Sequence, residues 1–132
     1  MKLQISTDYA VQILRYLHEK KDELHTAGSI AESIGISYHF FVQIANQMKK
    51  RGLLVSIQGR NGGYQLGRTA HDISFYDVFM CMEGELQISR RLQRNRFCDH
   101  DGVNYCKVHG FLHYLQDRMV EEMSNQSIAD LT

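Results

Sequence analysis

No apolar run in this 132-residue chain approaches the roughly 20 residues that a membrane-spanning helix requires, so no membrane partner is expected. The opening Met1-Lys2-Leu3-Gln4 lacks the basic start and apolar core of a signal peptide, which points to the cytoplasm. There is no internal repeat and no low-complexity linker. Cysteine is scarce and odd in number: Cys81, Cys98 and Cys106. An odd count in a cytosolic chain argues against a disulfide framework and leaves metal binding, redox chemistry or plain burial. A P-loop, a dinucleotide fingerprint and a nucleophile elbow are all absent, so an enzyme is not expected.

Acidic residues are missing from one long stretch. None lies between Glu32 and Asp72, whereas Lys49, Lys50, Arg51, Arg60 and Arg68 do. The formal net charge of zero conceals this asymmetry. Residues 1–68 hold nine Lys/Arg and five Asp/Glu, a balance of +4; residues 69–132 hold six and ten, a balance of −4. A basic segment of this kind can meet phosphates without self-repulsion, although a solvated surface gives the same composition.

Hydrophobic residues make up 43% of the chain and charged residues 23%, as in ordinary globular proteins. The length suits one small domain plus an added helix. Ala10, Ile13, Leu14 and Leu17 recur at helical spacing, predicting a first helix from about Thr7 to Lys20, capped by Ser6 or Thr7. A short helix is expected around Ala27–Ser33, broken by Gly35. Ser37 then caps a helix reaching about Lys50, with Phe41, Ile44, Ala45 and Met48 on its buried side and Gly52 at its end. Two helices joined by a tight glycine-containing turn form a helix-turn-helix. Residues 53–57 read as a strand, 59–63 as a glycine-rich turn and 64–66 as a returning strand: a wing. Ser74 begins another helix through about Met82, with Asp77 as its capping-box partner. Residues 85–106 read as irregular. A final helix from about Lys107 to Asn125 carries the stripe Val108, Phe111, Leu112, Leu115, Met119 and Met123. Such a stripe is most often intramolecular core, but a lone helix beyond a complete winged domain favours dimerisation. The expected fold is mainly α with a small β-hairpin wing. Residues 1–72 would form the winged helix-turn-helix, and 73–132 a helix, a sensor loop and a long C-terminal dimerisation helix.

The run Ile36-Ser37-Tyr38-His39-Phe40-Phe41-Val42-Gln43-Ile44, then Gly52-Leu53-Leu54, then Gly59-Arg60-Asn61-Gly62-Gly63-Tyr64-Gln65-Leu66-Gly67-Arg68, resembles the IscR/NsrR-like family of winged-helix regulators. Thr7-Asp8-Tyr9-Ala10 and Ala129-Asp130-Leu131 are similar to its nitric-oxide-sensing branch. The resemblance covers nearly the whole chain. It implies a homodimer with crossed C-terminal helices, a recognition helix in the major groove of operator DNA, and a wing at the minor groove. It also implies an iron–sulfur cluster between the C-terminal loop and the partner's first helix, whose state sets DNA affinity in response to redox, nitric oxide or iron. Repression is the expected mode. The alternative is a cluster-free regulator acting through a thiol switch or a partner protein.

Under that resemblance Ser37, Tyr38, His39 and Gln43 stand at the start of the recognition helix, where side chains reach bases. Arg60 and Asn61 occupy the wing tip, and an arginine there suits the negative potential of a narrow minor groove. The family's usual cluster loop has three closely spaced cysteines; here it offers two, Cys98 and Cys106, with an arginine-rich stretch in place of the first. Mixed ligand sets in which His replaces Cys do occur. Cys98, Cys106 and His109 are therefore candidate ligands, the resemblance adds Asp8, which is similar to the family's acidic ligand on the first helix, and a 2Fe-2S cluster is favoured over 4Fe-4S. Against this stands the reading of the cysteines as a thiol pair or buried side chains, and of Asp8 as a helix-start residue. Cys81, on an apolar helix, is expected to be core. Arg90, Arg91, Arg94 and Arg96 could balance an anionic cluster, lower a thiol pKa, touch phosphate or simply be solvated.

Overall fold

The computed structural model describes residues 2–89 and 103–132, without the side chains of 103–106. The order is α1 (Ile5–Glu19), α2 (Ala27–Ile34), α3 (Tyr38–Lys50), β1 (Leu54–Ile57), β2 (Gly63–Leu66), a 3-10 turn (Ala70–Asp72), α4 (Phe75–Met82) and α5 (Val103–Ser124). The two strands pair antiparallel, with Leu54 opposite Leu66 and Ile57 opposite Gly63. This is the winged helix-turn-helix with a long C-terminal helix that the sequence predicts.

One core organises the helices. Ala10, Ile13, Leu14 and Leu17 of α1 are buried, as are Phe41, Ile44, Ala45 and Met48 of α3. Ile30, Leu53, Leu54, Ile73, Val78, Met82 and Ile128 complete the same cluster, which therefore draws on both sides of position 72. Edge-to-face rings tie α1 to α3 (Tyr9–Phe40, 5.7 Å) and α3 to β2 (Phe41–Tyr64, 5.2 Å). The chain's end returns to this core: the Ile128 amide donates to the Ile73 carbonyl at 2.8 Å, and that of Phe75 to Gln126 at 2.7 Å.

The turn between α2 and α3 has a clear physical origin. Gly35 sits at φ +86°, a conformation that costs a side-chain-bearing residue, and its amide donates to the Ala31 carbonyl. Ser37 accepts from the Phe40 amide at 3.0 Å and starts α3. At α4, Ser74 and Asp77 form the full capping box, each side chain accepting from the other's amide at 3.0 Å.

Three boundaries or burials differ from expectation. Helix α1 starts at Ile5, and its N-cap is Gln4 rather than Ser6 or Thr7. Thr7 is buried, and its hydroxyl donates to Glu83 Oε1 at 3.1 Å; the Gln4 amide donates to the same carboxylate. Glu83, at the end of α4, thus supplies the anion that the positive end of α1 favours. Helix α5 starts at Val103, which places position 106 inside a helix rather than in a loop. Cys81 is only half-buried.

Candidate nucleic-acid interface

Helix α3 buries one side and leaves the other free. His39, Gln43, Asn46 and Lys50 fall three or four residues apart, and all are exposed. His39 and Gln43 are already paired, Nε2 to Nε2 at 3.2 Å. Two nitrogens can share a hydrogen bond only if one donates and the other accepts. In this pose the Gln43 amide donates to an unprotonated His39 Nε2, which leaves its carbonyl oxygen and second N–H free. That pair matches the donor and acceptor that adenine shows in the major groove. Ser37 is exposed but uses its hydroxyl as the helix cap. Tyr38 is 64% exposed and stands close enough to Tyr64 to affect it. Burial first, and Tyr38 second, push the Tyr64 phenol up from its ordinary value. Lys50 belongs to the basic segment noted in the sequence, whereas Asn46 was not singled out; helical periodicity of polar residues, continued past Gln43, is the signal that finds it.

The wing meets α3 through the Phe41–Tyr64 ring contact and is seated by close backbone packing on the loop before α2. Tyr64 donates its amide to the His25 carbonyl at 2.8 Å, and a side chain at Gly63 would meet that carbonyl oxygen at 2.6 Å. At the tip, Gly59 takes φ +114° and its carbonyl accepts from the Gly62 amide at 3.0 Å. A Cβ on Gly62 would lie 2.0 Å from the Ile57 carbonyl oxygen. Arg60 and Asn61 project from this turn, exposed, with no hydrogen bond or ion pair among the described residues. Two elements of one acid-free segment thus present polar and cationic groups together. That combination can grip phosphate and read base edges.

The candidate ligands fall elsewhere. Asp8 is exposed in the first turn of α1. Among the described residues its carboxylate has no hydrogen-bond or ion-pair partner. It opens on a concavity of about 450 Å3 shared with Gln12, Arg15 and Glu19. Arg15 donates through Nη1 to Gln12 Oε1 at 3.1 Å, while its Nε is buried without a partner. His109 lies on α5, its ring 6.1 Å from that of His113. Cys98 and the Cys106 side chain lie outside the described residues, as does the stretch from Arg90 to Arg96; position 106 is one turn before His109 on α5. Among the described residues, no three His, Cys, Asp or Glu side chains converge to hold a metal. None of the described helices is long and apolar enough to cross a membrane.

Comparison with known proteins agrees with this geometry. The Lactococcus lactis protein named as an HTH-type transcriptional regulator, YffB, is 33% identical, covering 99% of this chain and 86% of its own. The HTH-type transcriptional regulator NsrR of Shouchella clausii is 27% identical over 99% of this chain and 88% of its own. Among solved structures, IscR of T. potens superposes with a TM-score of 0.74 at 25% identity, covering 99% of this chain and 85% of that one. A Listeria innocua regulator superposes with a TM-score of 0.81 at 20% identity over 99% and 85% of the respective chains, which supports the fold. The profile of the Rrf2 family, described as iron-dependent transcriptional regulators, matches residues 3–132, and the chain belongs to that family of transcription regulators, not to an enzyme family.

Proposed function

We propose that the chain is a cytoplasmic, DNA-binding repressor that works as a homodimer. The observation that carries this reading is the pairing of the exposed His39–Gln43 face of α3 with the Arg60 wing tip, in a segment without acidic residues. In a dimer two such faces would read two half-sites of one operator. Residues 1–72 would do the reading, and 73–132 the assembly and sensing. His39 and Gln43 would address base edges, Tyr38 and Asn61 would position the backbone, and Arg60 would enter the minor groove. The test starts by selecting duplexes from a random library with the wild-type protein. On the selected site, Gln43→Ala should cost about 1–3 kcal/mol and relax discrimination at one A·T position. Arg60→Ala should weaken binding and change the A·T preference if Arg60 enters the minor groove, or lower the salt slope by about one phosphate-equivalent if it meets backbone instead. Failure to enrich any sequence, or unchanged affinity in both variants, would remove α3 and the wing from the interface.

The finer reading is an iron–sulfur cluster that sets DNA affinity. The donor chemistry suits one shared between subunits. The Asp8 carboxylate is unengaged, and the partnerless Arg15 Nε beside it favours an anionic neighbour. Asp8 would bind from one subunit, with Cys98, Cys106 and His109 from the other, and 2Fe-2S is the nuclearity such a mixed set favours. When bound, the cluster supplies redox and nitric-oxide reactivity. Iron and sulfide analysis of anaerobically purified wild type, Cys106→Ala, Asp8→Ala and His109→Ala tests this. Iron-free wild type favours the thiol or partner-protein alternative, and full occupancy in Cys106→Ala defeats the ligand set.

A further inference from the structure

A second concavity, of about 520 Å3, lies away from both the α3–wing face and the Asp8 face. It forms where the end of α1 meets the segment joining β2 to the 3-10 turn. Its floor is apolar: Leu17 and Ala70 are buried in the core, and Leu66 is half-buried. Its rim is cationic or basic. Lys21 and Arg68 line it, together with His18 and His71, whose rings meet edge to face at 6.2 Å. Among the described residues Glu23 is the one carboxylate in the lining, set against Lys21 and Arg68. Arg68 is shared with Asp77 at 3.4 Å, outside the cavity. Lys21, by contrast, has no hydrogen bond or ion pair among the described residues, whereas His71 stands near enough to the Asp130 carboxylate to act on it. An apolar floor with a few convergent polar groups, in this size range, is the usual anatomy of a small-molecule site.

From this we infer a site for a small organic monocarboxylate with a flat apolar body. The body would lie over Leu17, Leu66 and Ala70 and against the imidazole pair. The carboxylate would meet Lys21, a cation with no ion pair among the described residues, and the side of Arg68 turned from Asp77. The cavity wall gives the site a route to the DNA-reading elements. Gly67 donates its amide to the Leu53 carbonyl at 2.9 Å, and a Cβ there would stand 2.2 Å from the Gly52 carbonyl oxygen. An occupant therefore presses on backbone fixed both to strand β2 of the wing and to the turn that ends α3. The site is an effector site; this regulatory role rests on the DNA-binding reading, whereas ligand binding itself does not.

The test uses 2-naphthoate as the anionic probe and 2-naphthamide as its neutral counterpart, followed by amide NMR of the full-length protein. Naphthoate should shift the amides of residues 17–23 and 65–71. Naphthamide should bind at least about tenfold more weakly, and Lys21→Glu should weaken naphthoate by about the same factor. Lys21 is exposed, so a wild-type-like spectrum of the unliganded variant is expected. Equal binding of the two probes would reduce the site to an apolar patch and overturn the proposal. So would shifts confined to α5 or the Asp8 concavity, or none up to about 10 mM naphthoate. On the selected DNA, naphthoate at a concentration that fills wild type but leaves Lys21→Glu mostly empty should change wild-type affinity and leave that of the variant nearly unaltered. Bound naphthoate without an effect on DNA would overturn the effector role while leaving the DNA-binding reading intact.

Discussion

Cys81 illustrates how a single side chain acquires its chemistry from its neighbours. Its thiol donates to the Gln47 carbonyl of α3 at 3.4 Å. Burial pushes its pKa up, and the nearby Arg51 only partly opposes this. A raised thiol pKa means less thiolate at neutral pH, and the thiolate is the reactive species. Iodoacetamide should therefore label Cys81 more slowly than an unfolded peptide containing it, and the rate should climb as pH rises. Peptide mapping by mass spectrometry reads this directly, and labelling as fast as in the peptide would refute it. Asp130 shows the opposite shift. It closes a turn with Ser127, each side chain accepting from the other's amide at 3.0 Å. Hydrogen bonding to its carboxylate by Ser127, through the backbone amide first and the side chain second, holds it below the ordinary value of 3.8. A carboxylate depressed on folding adds stability above its unfolded pKa and loses it as pH falls through the folded one. Asp130→Asn should thus be less stable than wild type in urea at pH 7, with the gap closing as pH falls through the lowered pKa of the folded carboxyl. A gap that persists in acid would show that the loss has another cause.

At the level of elements, the hinge of the design is the contact between the wing and the loop before α2. Buried His25 bridges to Tyr64 through the backbone, and its ring meets Tyr16 edge to face at 5.2 Å. Gly63 permits that approach because the space a Cβ would need is taken by the His25 backbone. Backbone yields less readily than a side-chain tip. Gly63→Ala should destabilise the fold by about 1–3 kcal/mol and tilt the wing away from α3. The checks are a lower denaturation midpoint and weaker binding to the selected DNA; an unaltered midpoint would mean that the wing is not seated as described. Much of this level was legible in the sequence. Gly35 with Ser37, and Ser74 with Asp77, are local signals whose chemistry operates over three residues. The start of α1 was not legible, because its anion comes from Glu83, 76 residues beyond Thr7. The early start of α5 was missed although local signals stand there: Asp101 and Gly102 directly precede Val103.

For the whole molecule, the apolar stripe of α5 is where sequence and structure say different things about one periodic pattern. Sequence alone lists Val108, Phe111, Leu112, Leu115, Met119 and Met123 as equivalent. The structure divides them. Met119 and Met123 are half-buried toward the end of α5, the end where the chain turns back to α4 through Gln126 and Ile128. Val108, Phe111, Tyr114 and Leu115 are 56%, 59%, 61% and 39% exposed. Four large apolar or aromatic side chains within two turns, left in water, form the kind of patch that marks an interaction surface. A second copy of α5 offers the same surface, and a two-fold pairing would bury both at once. It would also fix the distance between two α3 faces, which is what reading a two-part operator requires. The dimer is therefore expected to depend on Leu115. Leu115→Asp introduces a carboxylate that water solvates in the monomer but that a seam must desolvate, at a cost of several kcal/mol. The variant should be folded by circular dichroism, monomeric by light scattering at micromolar concentration, and weakened on a two-half-site operator far more than on a single half-site. A variant that remains dimeric would place the seam on another surface, and a wild-type protein that is monomeric under the same conditions would remove the dimer from the mechanism.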